Sequence, residues 1–220
     1  MNIRLNIILS AAFFMGALHS NIVVILNGAS SSGKSTLQKY LVAALNSTKK
    51  FSRPFIRTGF DTLFVYPSPS PFTYGIEMPN FDSSKFASVK QFVDINGVKT
   101  APLSIGKEGF SMIQAMHESI LVYANYFHLC IDYVNYSNGI LNDLVNLLRS
   151  AGHKVYVVKI SVDIKTLEDR EVDRQNTPGH ARSHFRTVHK NIAYDLEVNN
   201  NSRAGSDSKA ERLAQSIVEG

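Results

Sequence analysis

The chain has one cysteine, no block of lysine and arginine longer than two residues, and no apolar run long enough to span a membrane with confidence. Each shortage excludes something. A lone Cys130 excludes an intramolecular disulfide. It sits in an apolar run, so it reads as core filler and not as a nucleophile. Without basic blocks or a basic–aromatic patch, nucleic acid is not a predicted partner; the net charge of +5 suits a small polyanion equally well. His180, His184 and His189 tempt a metal assignment, but no carboxylate or cysteine completes a compact ligand set beside them. There are no internal repeats and no sign of a second domain. With 220 residues, 44% hydrophobic and 19% charged, the chain can bury one full core.

What is present is concentrated between Asn21 and Leu45. An apolar run, Ile22-Val-Val-Ile-Leu26, leads into Gly28-Ala29-Ser30-Ser31-Ser32-Gly33-Lys34-Ser35, and an amphipathic pattern follows from Thr36. This is G-x-x-x-x-G-K-[ST] in the order strand, glycine-rich turn, helix. The glycines let successive backbone N–H groups converge on a phosphate, and the helix start adds its positive end. Lys34 is placed for the β- and γ-phosphates of a nucleotide and Ser35 for Mg²⁺. A Ser/Gly linker before a helix is the plainer reading, and the flanking pattern argues against it. Gly28 to Thr36 is therefore the predicted ATP-binding segment.

Residues 1–20 form an apolar segment laid out like a signal peptide, with Arg4 before residues 5–18. An export signal, a docked helix and an upstream extension all fit. ATP use favours a cytoplasmic protein. A second strand near 54–58 leads to Asp61, which reads either as a general base or as a helix cap. Residues 66–82 read as a Pro-, Ser- and aromatic-rich loop. Phe92 to Thr100 predicts a hairpin with a type I′ turn at Asn96-Gly97. Between 107 and 126 a helical stripe of Phe110, Ile113, Met116, Ile120, Leu121 and Tyr123 is expected to face the core, with His117 at the surface. A third strand ends in Asp132, a candidate Mg²⁺ carboxylate. Further elements are a helix at 141–148, a strand at 154–160, a helix from Asp163, a strand near 193–198 and a closing helix at 208–218. Arg170 and Arg174 share a helix face; periodicity alone favours a solvent face paired with Glu171 and Asp173.

Taken in order, these pieces resemble the chloramphenicol phosphotransferase group of P-loop kinases. The matching stretches are Ile25 to Ser35, Gly59-Phe-Asp-Thr-Leu63, Leu103-Ser-Ile-Gly106, Ile131-Asp-Tyr-Val134, Arg170-Glu-Val-Asp-Arg174, Val188-His189 and Tyr194-Asp-Leu-Glu-Val198. The resemblance implies a three-layer α/β P-loop kinase with a mostly parallel sheet of about five strands, a hairpin insertion near 90–101 and a small lid near 170–185. It implies ATP and Mg²⁺ as cofactors and a small-molecule hydroxyl as phosphoryl acceptor. By the same resemblance Asp61 is the general base, Lys34, Arg170 and Arg174 are catalytic cations, and Ser35 and Asp132 hold the metal. Where the family often has two acids after the third strand, this chain has Asp132 and Tyr133. Residues 65–90 depart from the family pattern, so the acceptor does not carry over. A kinase of a nucleotide, nucleotide sugar or metabolite, and an ATP-binding protein that transfers nothing, are the alternatives.

Overall fold

The computed structural model describes residues 20–65, 82–136, 139–175, 177–185, 187–202 and 204–220. The signal-like segment and the Pro-rich loop lie outside them, apart from Ser20 and Asp82 at their edges. In chain order the elements are β1 (Ile22–Asn27), α1 (Lys34–Ser47), β2 (Phe55–Gly59), a π-helical turn (Asp61–Val65), a 3₁₀ turn (Ser83–Lys85), β3 (Ala87–Val89), β4 (Phe92–Val93), β5 (Lys99–Thr100), β6 (Leu103–Ile105), α2 (Lys107–Tyr126), β7 (His128–Tyr133), α3 (Ile140–Ser150), β8 (Lys154–Ser161), α4 (Ile164–Asp173), α5 (His180–Phe185), β9 (Leu196–Asn199) and α6 (Ser206–Glu219).

Five strands form one sheet in the order β2-β7-β1-β8-β9, and every pairing is parallel. A strand covered on both faces needs apolar side chains at successive positions, and Ile22 to Leu26 of β1 and Leu129 to Ile131 of β7 read that way. Alternate residues of β1 point to opposite layers. Val23 and Ile25 join Leu129, Ile131 and Tyr133 under α2 and α3. Val24 and Leu26 join Cys130, Val158 and Ile160 under α1 and α6. Three layers result, as expected. Cys130 is fully buried, and burial pushes its thiol pKa far up, which suits core filler.

The helix at 107–126 exists, but its inward face differs from the expected stripe. Ile113, Met116, His117, Ile120 and Ala124 are buried, while Phe110 and Tyr123 are 50% and 42% exposed. His117 is thus a core residue. Its Nε2 lies 3.0 Å from the Tyr133 hydroxyl, and burial pushes its pKa down to about 4. A neutral imidazole with a hydroxyl partner is tolerable in a core, and the sequence pattern could not show that partner.

Between the π-helical turn and α2 stands a short antiparallel ribbon. β3 pairs with β6, and β4 with β5. The hairpin lies where Asn96-Gly97 predicted it, but the turn is longer. Gly97 N–H donates to Asp94 O (3.0 Å), the Asp94 side chain accepts from Asn96 and Val98 N–H, and of the two turn residues Gly97 alone has positive φ. A type I′ turn needs positive φ at both central residues. The Asp94 carboxylate stabilises the alternative. Among the described residues no helix is long and apolar enough to cross a membrane.

Candidate active site

The site sits at the carboxyl ends of β1, β2 and β7, where α/β sheets leave a crevice. β1 ends at Asn27. Its amide donates to Val188 O (2.9 Å) and the Tyr194 hydroxyl (2.7 Å), and its Oδ1 accepts from Asn135 N–H (3.0 Å). His189 Nδ1 lies 2.7 Å from the same hydroxyl, and the Asp195 carboxylate accepts from Val157 N–H (2.7 Å). Val188 and Tyr194, with His189 behind the tyrosine, therefore fix the strand end that launches the glycine-rich turn, while Asp195 ties the closing motif to β8.

That turn has an unusual backbone. Ser31 has φ +63° and Gly33 φ +85°. A Cβ on Gly33 would lie 2.6 Å from the Asn200 amide nitrogen. Positive φ and close approach both favour glycine there. Lys34 opens α1, and its ammonium donates to Ala29 O (2.9 Å) and lies 3.7 Å from Asp132 Oδ1. Burial lowers its pKa, while Asp132 and Asp61 pull it back up. Ser35 Oγ donates to Asp132 Oδ2 at 2.5 Å. The register sets Asp132 beside Gly59 of β2 and Leu26 of β1, so three distant segments meet at this carboxylate.

Asp61 begins the π-helical turn and faces the same cleft. Solvent reaches it through the open mouth, yet the cleft walls strip much of its water. That loss, with the negative charge of Asp132, raises its pKa; Lys34 and His180 act in the opposite direction. The cleft measures about 520 Å³ and is lined by residues from Ser30 to Ser35, by Arg57 to Thr62, and by Asp132, Tyr136 and Arg174.

The two arginines part company. Arg174 caps α4 and lines the cleft. Arg170 is 5% exposed and turns to backbone carbonyls: Asn200 O (2.8 Å), Asn201 O (3.0 Å) and Ser32 O (3.4 Å). Glu171, expected on a solvent face, is 3% exposed and accepts from Gly179 and Ala181 N–H at 2.7 and 2.6 Å, capping α5. The segment 170–185 is thereby tied to the glycine-rich turn on one side and to the hairpin on the other, through Gly179 O accepting from Ala101 N–H.

Sequence reasoning missed several groups. Gln38 donates to Thr58 O (2.6 Å) and Cys130 O (2.8 Å), locking α1 to β2 and β7. Its spacing of four from Lys34 was the available signal. Asn200 donates to Ser32 O (2.7 Å) across 168 residues, and nothing local marks it. His184 is buried against Tyr136 and His180, with ring centroids 4.5 and 4.1 Å away, and burial pushes its pKa down to about 2.

The arrangement fits a nucleotide and its metal. Among the described residues the buried Ser31 hydroxyl finds no hydrogen-bond partner, as a phosphate-binding loop leaves its donors. Ser35 and Asp132 offer the hard oxygen ligands that Mg²⁺ takes.

A family model described as chloramphenicol phosphotransferase-like protein matches residues 21–218. The chain belongs to that family. No curated protein matches the sequence. Among solved structures, a putative kinase from Chloroflexus aurantiacus j-10-fl is 12% identical with a TM-score of 0.59, covering 93% of this chain and 100% of its own. Shikimate kinase from Acinetobacter baumannii is 15% identical at 0.50 (96% and 95% covered), and a gluconokinase from Sinorhizobium meliloti 1021 is 15% identical at 0.50 (91% and 94%). At such identities the likeness shows the fold, which is that of the P-loop kinases. The family member described here thus has the P-loop kinase fold, with the sheet and layers its sequence predicted.

Proposed function

We propose that this protein is a kinase that transfers the γ-phosphoryl group of Mg·ATP to a hydroxyl of a small organic molecule. The observation that carries the reading is that one cleft gathers Lys34, Ser35 and Asp132 with Asp61 and Arg174. In this reading the amides of Gly28 to Ser35 cradle the phosphates, and Lys34 balances their charge. Ser35 and Asp132 would hold Mg²⁺, and the ion would supply charge neutralisation at the phosphates. Asp61 accepts the hydroxyl proton as the acceptor oxygen bonds to phosphorus and the bond to ADP breaks. A raised pKa makes Asp61 a stronger base than an ordinary carboxylate. Arg174 faces the transferring group, and Arg170 holds the turn and the 200–201 loop in place. Phosphoryl transfer is mainly positioning and electrostatics, and this donor set is suited to both.

The family name points to chloramphenicol as one acceptor to try. The test is ADP release from Mg·ATP across hydroxylated compounds including chloramphenicol, with Lys34→Ala as control. Release that needs both an acceptor and Lys34 supports the reading. Nucleotide binding without any acceptor-dependent release would overturn it in favour of a binding role.

A further inference from the structure

Arg57 is a guanidinium that the proposed mechanism does not use. It is exposed on β2, lines the cleft, and makes no hydrogen bond or ion pair among the described residues. Several other polar groups of the cleft are committed. Gln38 spends both amide hydrogens on Thr58 O and Cys130 O. Asp132 is engaged by Lys34 and Ser35. Asp61 feels Lys34 and His180. Arg57 stands two residues before Gly59 on the same strand, about 7 Å along it at the usual rise, so it flanks the entrance to Asp61 without neutralising it. A strand, unlike a loop, holds the base of this side chain in place.

We infer that Arg57 recognises an anionic group on the acceptor, so that the substrate carries both a hydroxyl and a carboxylate, sulfate or phosphate. The planar fork of a guanidinium pairs with two oxygens of such groups at once. The charge pattern of the cleft calls for it. Asp61 and Asp132 repel an anionic acceptor, and Lys34 and Arg174 face the phosphates of the nucleotide. Among the described residues lining the cleft, Arg57 is the cation left to offset that repulsion at the acceptor end. This inference rests on the phosphotransfer reading for the hydroxyl, while the anion site itself can be tested without turnover.

Two measurements decide it. The first is a thermal shift by sodium sulfate against sodium chloride at equal ionic strength, with saturating Mg²⁺ and a non-hydrolysable ATP analogue filling the phosphate cradle. Sulfate should raise the melting temperature of the native protein beyond chloride, and Arg57→Gln should keep only the smaller, general salting-out part of that rise. The second compares initial ADP release for matched acceptors, such as 4-(hydroxymethyl)benzoate, its phosphonate and sulfonate analogues, and its neutral amide. The best anion should exceed the amide at least tenfold in kcat/KM. Arg57→Gln should collapse the ratio towards one through KM, and Arg57→Lys should restore part of it. Which anion leads names the group. An equal sulfate effect in native protein and Arg57→Gln, or no sulfate effect in either, overturns the anion site. So does an acceptor ratio that Arg57→Gln leaves unchanged. Absence of turnover with every acceptor overturns the phosphotransfer reading alone, because the sulfate measurement still decides Arg57. The side chain is exposed, so Arg57→Gln should fold, and far-UV circular dichroism checks this.

Discussion

Replacing Arg170 and Arg174 in turn, each by methionine, should separate two roles that their spacing makes look alike. Methionine keeps an unbranched stem and removes the charge. Arg170 donates to three carbonyls. Ser32 O retains Asn200 Nδ2 at 2.7 Å, and exposed Asn201 can turn to water. Asn200 is 4% exposed, so the loss of its charged partner is the expensive one. A hydrogen bond from a charged donor is worth about 1.5–3 kcal/mol. A loss of about 2 kcal/mol in a domain of this size lowers the melting temperature by about 4–8 °C. Arg174 has no side-chain hydrogen bond or ion pair among the described residues and lines the cleft. Arg174→Met should therefore shift stability by less than about 0.5 kcal/mol and cut turnover by about 10²-fold or more. Thermal melts, urea midpoints and ADP release on both variants make the comparison. If Arg170→Met melts like the native protein yet loses turnover as Arg174→Met does, the holding role argued from its carbonyl contacts is wrong.

Lys34→Ala should lower turnover by about 10²–10³-fold while the fold stays intact by circular dichroism. Asp61→Asn should cost about 10²–10⁴-fold in turnover and remove the acidic limb of the pH–rate profile, a limb set above the usual carboxylate range because desolvation and Asp132 raise its pKa. The sign for stability follows from the same shift. The folded state holds the Asp61 proton to higher pH than the unfolded chain does, so ionising it costs stability as pH rises. Asp61→Asn should thus gain in melting temperature more at pH 7 than at pH 4, and a gain that shrinks with pH would contradict the assignment. Glu171→Gln leaves one of the Gly179 and Ala181 amides without its acceptor. It should lose about 2 kcal/mol, with faster hydrogen exchange at those two amides as the direct readout.

Local patterns determined much of this protein. The glycine-rich octet between strand and helix marked the proposed phosphate cradle, because that chemistry needs a contiguous backbone. Continuous apolar strands spaced by amphipathic helices defined a parallel three-layer sheet. Asp61 and Asp132 were visible as carboxylates at strand ends. What the sequence left open depended on partners far along the chain. A short run cannot say that Asn200 will meet Ser32, or that Tyr133 will supply a partner making His117 tolerable in the core. It placed Arg170 and Glu171 on a shared outer face, whereas the contact of α4 with the turn and with α5 buries both. It read Asn96-Gly97 as a two-residue turn, whereas the Asp94 carboxylate stabilised another. Periodicity reports which side of an element is apolar. Only the tertiary structure decides which buried polar groups find the hydrogen bonds that offset their desolvation, and that is what separated Arg170, held by carbonyls, from Arg174, left facing the cleft.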